Sequence, residues 1–255
     1  MSKRILETLI NKRASGLKSF AVLIDPDKIQ DAGKLVKLIN IAVENKVDYF
    51  FVGGSLLTGN NLHQVIEHVK GNSQLPVVLF PGSTMHIDGS ADAVLFLSLI
   101  SGRNPELLIG QQVIAAPILK RSSLEILPTG YILIDSDNKT TVSYMSNTVP
   151  IPADKHSVAV CTAMAGEMLG LKLIYMDAGS GARYPISSRM IASVRRSIDI
   201  PLIIGGGITS ADKALASLKA GADMLVVGNG IEENPNLLIE VSDAINNLNE
   251  ELDVH

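Results

Sequence analysis

Eight short runs in this chain are almost continuously apolar, and helical segments fall between most of them. The runs are Phe20–Ile24, Tyr49–Val52, Val77–Phe80, Ala93–Leu99, Tyr131–Ile134, Leu171–Met176, Leu202–Ile204 and Met224–Val227. A strand with one wet face alternates between apolar and polar residues. A strand covered on both faces does not, so runs of this kind predict a parallel sheet under helices. Ala32–Glu44 carries Leu35, Val36, Leu38, Ile39 and Val43 on roughly one helical face. Leu62–Val69, Ala153–Leu169, Ser187–Arg196, Ala211–Ala220 and Asn236–Leu248 read the same way. Thr209 or Ser210 suits the N-cap of the Ala211 segment, and Gly221 suits its stop. Eight strands with intervening helices in 255 residues match the size of a (β/α)8, or TIM, barrel. A doubly wound open sheet is the alternative. No linker, low-complexity tract or charge run divides the chain, so residues 1–255 read as a single barrel domain.

Two segments depart from the repeat. Pro81 to Ala93 is too short for a helix and its turns to cross between parallel strands. The barrel is therefore predicted to lack the helix after strand three. In Lys139–Pro152, Val142, Tyr144, Val149 and Ile151 alternate among polar residues, which predicts an extended ornament on the loop after strand five.

Composition narrows the function classes. Hydrophobic residues make up 46% and charged residues 19%, too apolar for a disordered chain. A net charge of −4 offers no field for nucleic acid or an anionic membrane. The single cysteine, Cys161, excludes a disulfide framework and points to a reducing compartment; it falls in a helical segment and reads as core. Residues 1–20 carry Lys3, Arg4, Glu7, Lys12, Arg13 and Lys18 without a long apolar block, unlike a signal peptide. Ala93–Leu97 and Val113–Leu119 fall far short of the ~20 residues a membrane span needs. A cytoplasmic, soluble protein is expected.

In a barrel, chemistry belongs at the C-terminal strand ends. That rule selects Asp25-Pro26-Asp27-Lys28, Gly53-Gly54-Ser55, Pro81-Gly82-Ser83, Asp135, Asp177 to Gly181, Gly205-Gly206-Gly207 and Gly228-Asn229-Gly230. Glycine lets backbone approach a ligand, and successive N–H groups at such turns cradle anions. Gly206-Gly207 and Gly228-Asn229 end strands seven and eight, where barrels commonly hold a phosphate. Otherwise they simply make tight turns. Asp25 and Asp27 flank Pro26, and two adjacent carboxylates call for a cation. Oxygen ligands near a phosphate favour Mg2+, with Asp25 as the ligand and Ser55 as a weaker candidate. The bland alternative is an Asp capping the next helix, a role Asp31 also suits. Asp177, at the end of strand six, is the right group to take a hydroxyl proton, or it braces its own turn. His63 and His68 have the wrong helical spacing for joint ligation, and His86, His156 and His255 have no nearby His or Cys partner.

These motifs, in order, resemble the geranylgeranylglyceryl phosphate synthases and their bacterial heptaprenyl relatives. The likeness runs through Leu23 to Lys28, Val52 to Ser55, Leu79 to Gly82, Gly130 to Ile134, Tyr175 to Gly181, Gly205 to Ile208 and Val227 to Asn229, spanning about residues 20–235. The Asp-Pro-Asp-Lys and Ala-Gly-Ser-Gly forms are similar to the larger second group of that family, which includes bacterial members. The resemblance implies a modified TIM barrel lacking its third helix. It implies transfer of a prenyl group, with geranylgeranyl diphosphate as the expected donor, to the 3-hydroxyl of sn-glycerol 1-phosphate, yielding an ether lipid precursor and diphosphate. It further implies Mg2+ held by Asp25 with Ser55, and glycerol-phosphate contacts from Tyr175, Met176, Asp177, Ala178, Gly179, Ser180, Gly181, Gly206, Gly207, Gly228 and Asn229. Asp177 falls at the base position, where many members have Glu. Leu23 stands where many bacterial relatives have Lys. The family also implies a homo-oligomer, dimer or hexamer, with no nucleic-acid partner and no stable membrane insertion. The alternatives are another phosphate-handling isomerase or synthase on the same barrel, and a non-catalytic phosphate-ligand binding protein.

Overall fold

The computed structural model describes residues 4–253. Lys3 and His255 lie outside the described residues. Strands β1 (Ser19–Ile24), β2 (Tyr49–Gly54), β3 (Val77–Pro81), β4 (Ala93–Leu99), β5 (Glu125–Leu133), β6 (Leu173–Asp177), β7 (Leu202–Gly205) and β8 (Met224–Val227) form a closed parallel barrel in chain order. Closure pairs Ser19 with Met224 and Val22 with Val227. The modified (β/α)8 barrel read from the sequence is the fold.

The sheet separates two apolar layers. Phe20, Val22 and Ile24 of β1 pack outward under the helices, whereas Ala21 packs into the barrel with Phe51, Leu95, Leu127, Tyr175 and Ile203. Both faces of each strand are therefore dry, which explains the missing alternation.

The helices are α1 (Ile5–Ala14), α2 (Ala32–Glu44), α3 (Leu62–Asn72), α4 (Gln111–Arg121), α5 (Thr141–Ser146), α6 (His156–Met168), α7 (Ser188–Arg195), α8 (Ala211–Lys219), α9 (Asn229–Glu233) and α10 (Asn236–Asp253). Helix α1 plugs the barrel floor. Ile5 and Leu9 enter the interior layer, and the Glu125 carboxylate accepts the Ile5 and Leu6 N–H groups at 2.7 and 3.1 Å. A negative charge at free helical N–H groups is stabilising. Asp31 caps α2 and Ser210 caps α8, which stops just before Gly221.

As expected, no regular helix follows β3; a short 3-10 turn, Thr84–His86, fills the connection. The gap leaves an apolar cavity of roughly 180 Å3, whose lining includes Pro81, Ile87, Leu97, Ala115, Leu119 and Met145.

Three sequence expectations need correction, and one helix is added to them. The Lys139–Pro152 segment is not an extended ornament: residues 141–146 are helical, since Thr140 and Ser143 form a reciprocal capping box and Asn147 ends the turn at φ 48°. Only Ile151 is strand-like, bridging Ile134. Strand β5 begins at Glu125, six residues before the predicted Tyr131, through Pro128. Helix α4 was hidden by Pro117 and by the apolar residues it leaves outside, Val113, Ile114 and Ile118. Cys161 is exposed on α6 rather than in the core. Among the described residues, no helix is long and apolar enough to cross a membrane.

Candidate active site

A cavity of roughly 430 Å3 opens at the C-terminal rim. Asp25, Ser55, Tyr175, Asp177, Gly179, Ser180, Gly181, Gly206, Gly207, Gly228 and Asn229 all line it. Met176 and Ala178 do not: their side chains are buried in the outer apolar layer, because neighbouring residues of a strand point to opposite faces. Asp135 is exposed outside the cavity, turned onto its own loop, where it accepts the Asp137 N–H.

Asp177 ends β6 and is buried. Its Oδ1 accepts the Gly179 N–H at 2.7 Å, and its Oδ2 accepts the Tyr131 hydroxyl at 2.5 Å. Burial pushes its carboxyl above the ordinary value, while these two donors pull it back. The Tyr131 and Tyr175 phenols are held well above theirs, first by burial and then by the Asp177 charge. Phe80 stacks on Tyr175 with ring centroids 5.2 Å apart and meets Tyr131 edge-on at 6.0 Å. Tyr131 and Phe80 were legible only as parts of motifs. Nothing local marks them as partners of Asp177.

The two aspartates after β1 part company. Asp27 turns to the loop beyond β2, accepting from Thr58 N at 2.6 Å, Thr58 Oγ1 at 2.8 Å and Gly59 N at 3.0 Å. Those donors, Thr58 N foremost, hold its carboxyl below the ordinary value. Asp25 faces the cavity near Gly54, with Oδ1 accepting the Asp27 N–H at 3.1 Å. Partial burial pushes its carboxyl up. Among the described residues, no cluster of three or more His, Cys, Asp or Glu side chains could hold a metal. The donor set is nevertheless of the kind Mg2+ uses, since that ion typically takes one or two carboxylates and completes its shell with water and substrate phosphate.

On the neighbouring strands the wall is backbone. Gly206 and Gly207 adopt φ of 83° and 70°. A Cβ on Gly206 would lie 2.9 Å from Asp177 Oδ1 and from the Gly179 backbone. The left-handed turn and the close approach both require glycine. Asn229 Oδ1 accepts from Ser180 Oγ at 3.0 Å, joining the β6 and β8 loops.

Residues 12–248 match the PcrB family. The chain belongs to the PcrB family. It is 57% identical over 239 residues to a geranylgeranylglyceryl phosphate synthase of Spirosoma linguale, covering 93% of this chain and 95% of that one. It is 54% identical over 245 residues to the protein of that name from Chitinophaga pinensis, covering 96% and 97%. This PcrB-family fold also matches (S)-3-O-geranylgeranylglyceryl phosphate synthase from Thermoplasma acidophilum, solved in complex with sn-glycerol-1-phosphate, with a TM-score of 0.88 and 32% identity over 94% of this chain and 98% of that one.

Proposed function

We propose that this chain transfers a geranylgeranyl group from its diphosphate to the 3-hydroxyl of sn-glycerol 1-phosphate. One observation carries the reading: a single cavity gathers the Asp25 carboxylate, which has one backbone donor, a set of glycine-rich strand-end turns and a buried carboxylate of raised proton affinity. The names of the family members it resembles support the same chemistry.

The amides of Gly206-Gly207 and Gly228-Asn229 receive the glycerol phosphate. Asp177 accepts the 3-hydroxyl proton as that oxygen bonds to the prenyl C1, and the C1–diphosphate bond breaks with its electron pair leaving on diphosphate. Tyr131 and Gly179 orient Asp177 for this task. The rings of Phe80, Tyr131 and Tyr175 line the cavity and favour the positive charge that develops on the allylic carbon. Mg2+, held by Asp25 with Ser55 beside it, would neutralise the departing diphosphate as a Lewis acid. Fixing both substrates on one rim makes the attack effectively intramolecular. The prenyl tail takes the adjoining apolar cavity left by the missing helix, which shares Ser55, Pro81, Gly82, Leu97, Tyr131 and Val142 with the polar one. Ile109, Val113, Ile114 and Ile118, each 46–64% exposed on and just before α4, support a homo-oligomer.

The test is incubation with labelled sn-glycerol 1-phosphate, Mg2+ and a ladder of prenyl diphosphates, reading product mass. The geranylgeranyl ether should dominate. Absence of any ether product would overturn the reading.

A further inference from the structure

The cavity wall has an unbalanced charge. Asp25, Asp177, Glu232 and Glu233 are among the residues that line it, and among the described lining residues Lys28 is the only lysine or arginine. Lys213, on α8, donates to Thr209 Oγ1 at 2.7 Å and does not line the cavity. An anionic substrate entering here meets like charge unless a cation turns toward it.

Lys28 is placed to do so. It closes the short turn that begins beside Asp25, and its Nζ donates to Asn229 Oδ1 at 2.7 Å and Glu232 Oε2 at 2.8 Å. Asn229 follows Gly228 on the amide wall and also receives Ser180 Oγ. The Lys28 and Glu232 side chains are 40% and 27% exposed, so solvent weakens the pair and a dianion can compete for the ammonium. An ammonium on a flexible stem carries three rotatable donors, so it can leave one acceptor without losing the other.

We infer that Lys28 is a phosphate-binding residue for sn-glycerol 1-phosphate, held in readiness by Asn229 and Glu232 and released from Glu232 when the phosphate arrives. This rests on the function proposed above. Asn229 retains the ammonium beside the amide wall, and Glu232 tunes affinity by competing with substrate.

The test measures KM for each substrate, with direct calorimetric titration of sn-glycerol 1-phosphate, in wild type, Lys28→Ala, Lys28→Arg and Glu232→Gln. Lys28→Ala should raise KM and Kd for glycerol phosphate about 10- to 100-fold, the scale of one charge-assisted hydrogen bond. KM for prenyl diphosphate should stay within about threefold, since its neutralisation is assigned to Asp25 and Mg2+. Lys28→Arg should recover part of the loss. Glu232→Gln should tighten glycerol-phosphate binding, because the competitor is gone. A purely structural clamp would weaken binding in both Lys28→Ala and Glu232→Gln, so the opposite signs are decisive. Unchanged glycerol-phosphate affinity in Lys28→Ala, a loss confined to prenyl diphosphate, or weakening in Glu232→Gln would each overturn the inference. If wild type itself neither bound sn-glycerol 1-phosphate nor formed ether, the underlying functional reading would fall instead.

Discussion

Tyr131 donates its phenolic proton to Asp177 across neighbouring strands, at 2.5 Å, and both residues are buried at the bottom of the rim cavity. The bond stabilises the charged carboxylate against the burial that disfavours it. Tyr131→Phe should therefore raise the Asp177 pKa further. If Asp177 must be deprotonated to act, the acid limb of kcat/KM moves to higher pH, by about one unit for one bond to a charged group. A pH profile checks this, and an unmoved limb would remove Tyr131 from the mechanism.

Asp177→Asn separates catalysis from stability. Loss of a general base lowers turnover by about 10²–10⁴-fold. The folded wild type binds its Asp177 proton more tightly than the unfolded chain, so its stability falls as pH rises from the ordinary carboxylate range through the raised folded value. The asparagine variant lacks that penalty. It should be the more stable protein at pH 7, with the difference shrinking on acidification toward the ordinary carboxylate range. Denaturant titrations at the two pH values read the sign.

Gly206→Ala places a methyl 2.9 Å from Asp177 Oδ1 and from Gly179 backbone at a φ of 83°. The left-handed conformation alone costs about 1–2 kcal/mol. Both melting temperature and glycerol-phosphate affinity should drop, whereas an equal exchange at an exposed helical site would leave both near wild type.

For Asp25→Asn, the Mg2+ concentration giving half-maximal activity should rise by at least about 10-fold, the low end of what losing even an outer-shell partner of a ligand costs. The melting temperature should change little, since the carboxylate has one backbone donor to lose. An identical Mg2+ titration would exclude Asp25 as a ligand.

Ala115→Phe fills the apolar cavity that adjoins the rim. It should raise KM for geranylgeranyl diphosphate more than for shorter prenyl donors and leave glycerol-phosphate binding intact. Overpacking can cost about 1–3 kcal/mol, so a melting curve accompanies the kinetics.

Much of this molecule is legible along the chain. Continuous apolar runs report strands dry on both faces, whichever residues cover them. The Pro81–Ala93 interval is too short for a regular crossover helix with its turns. Glycine pairs at strand ends mark the turns whatever ligand they meet. These are local properties, set by backbone geometry and segment length.

Barrel closure decided the rest. It turned Asp25 to the cavity and Asp27 to Thr58, although the two are almost adjacent. It faced Met176 and Ala178 outward, joined Tyr131 to Asp177 over 46 residues, and carried Lys28 to Glu232 over 204. A side chain's partner depends on which distant strand or loop lies beside it, and neither hydrophobic period nor turn chemistry encodes that. Only the packed sheet sets the distances at which charges and hydrogen bonds act.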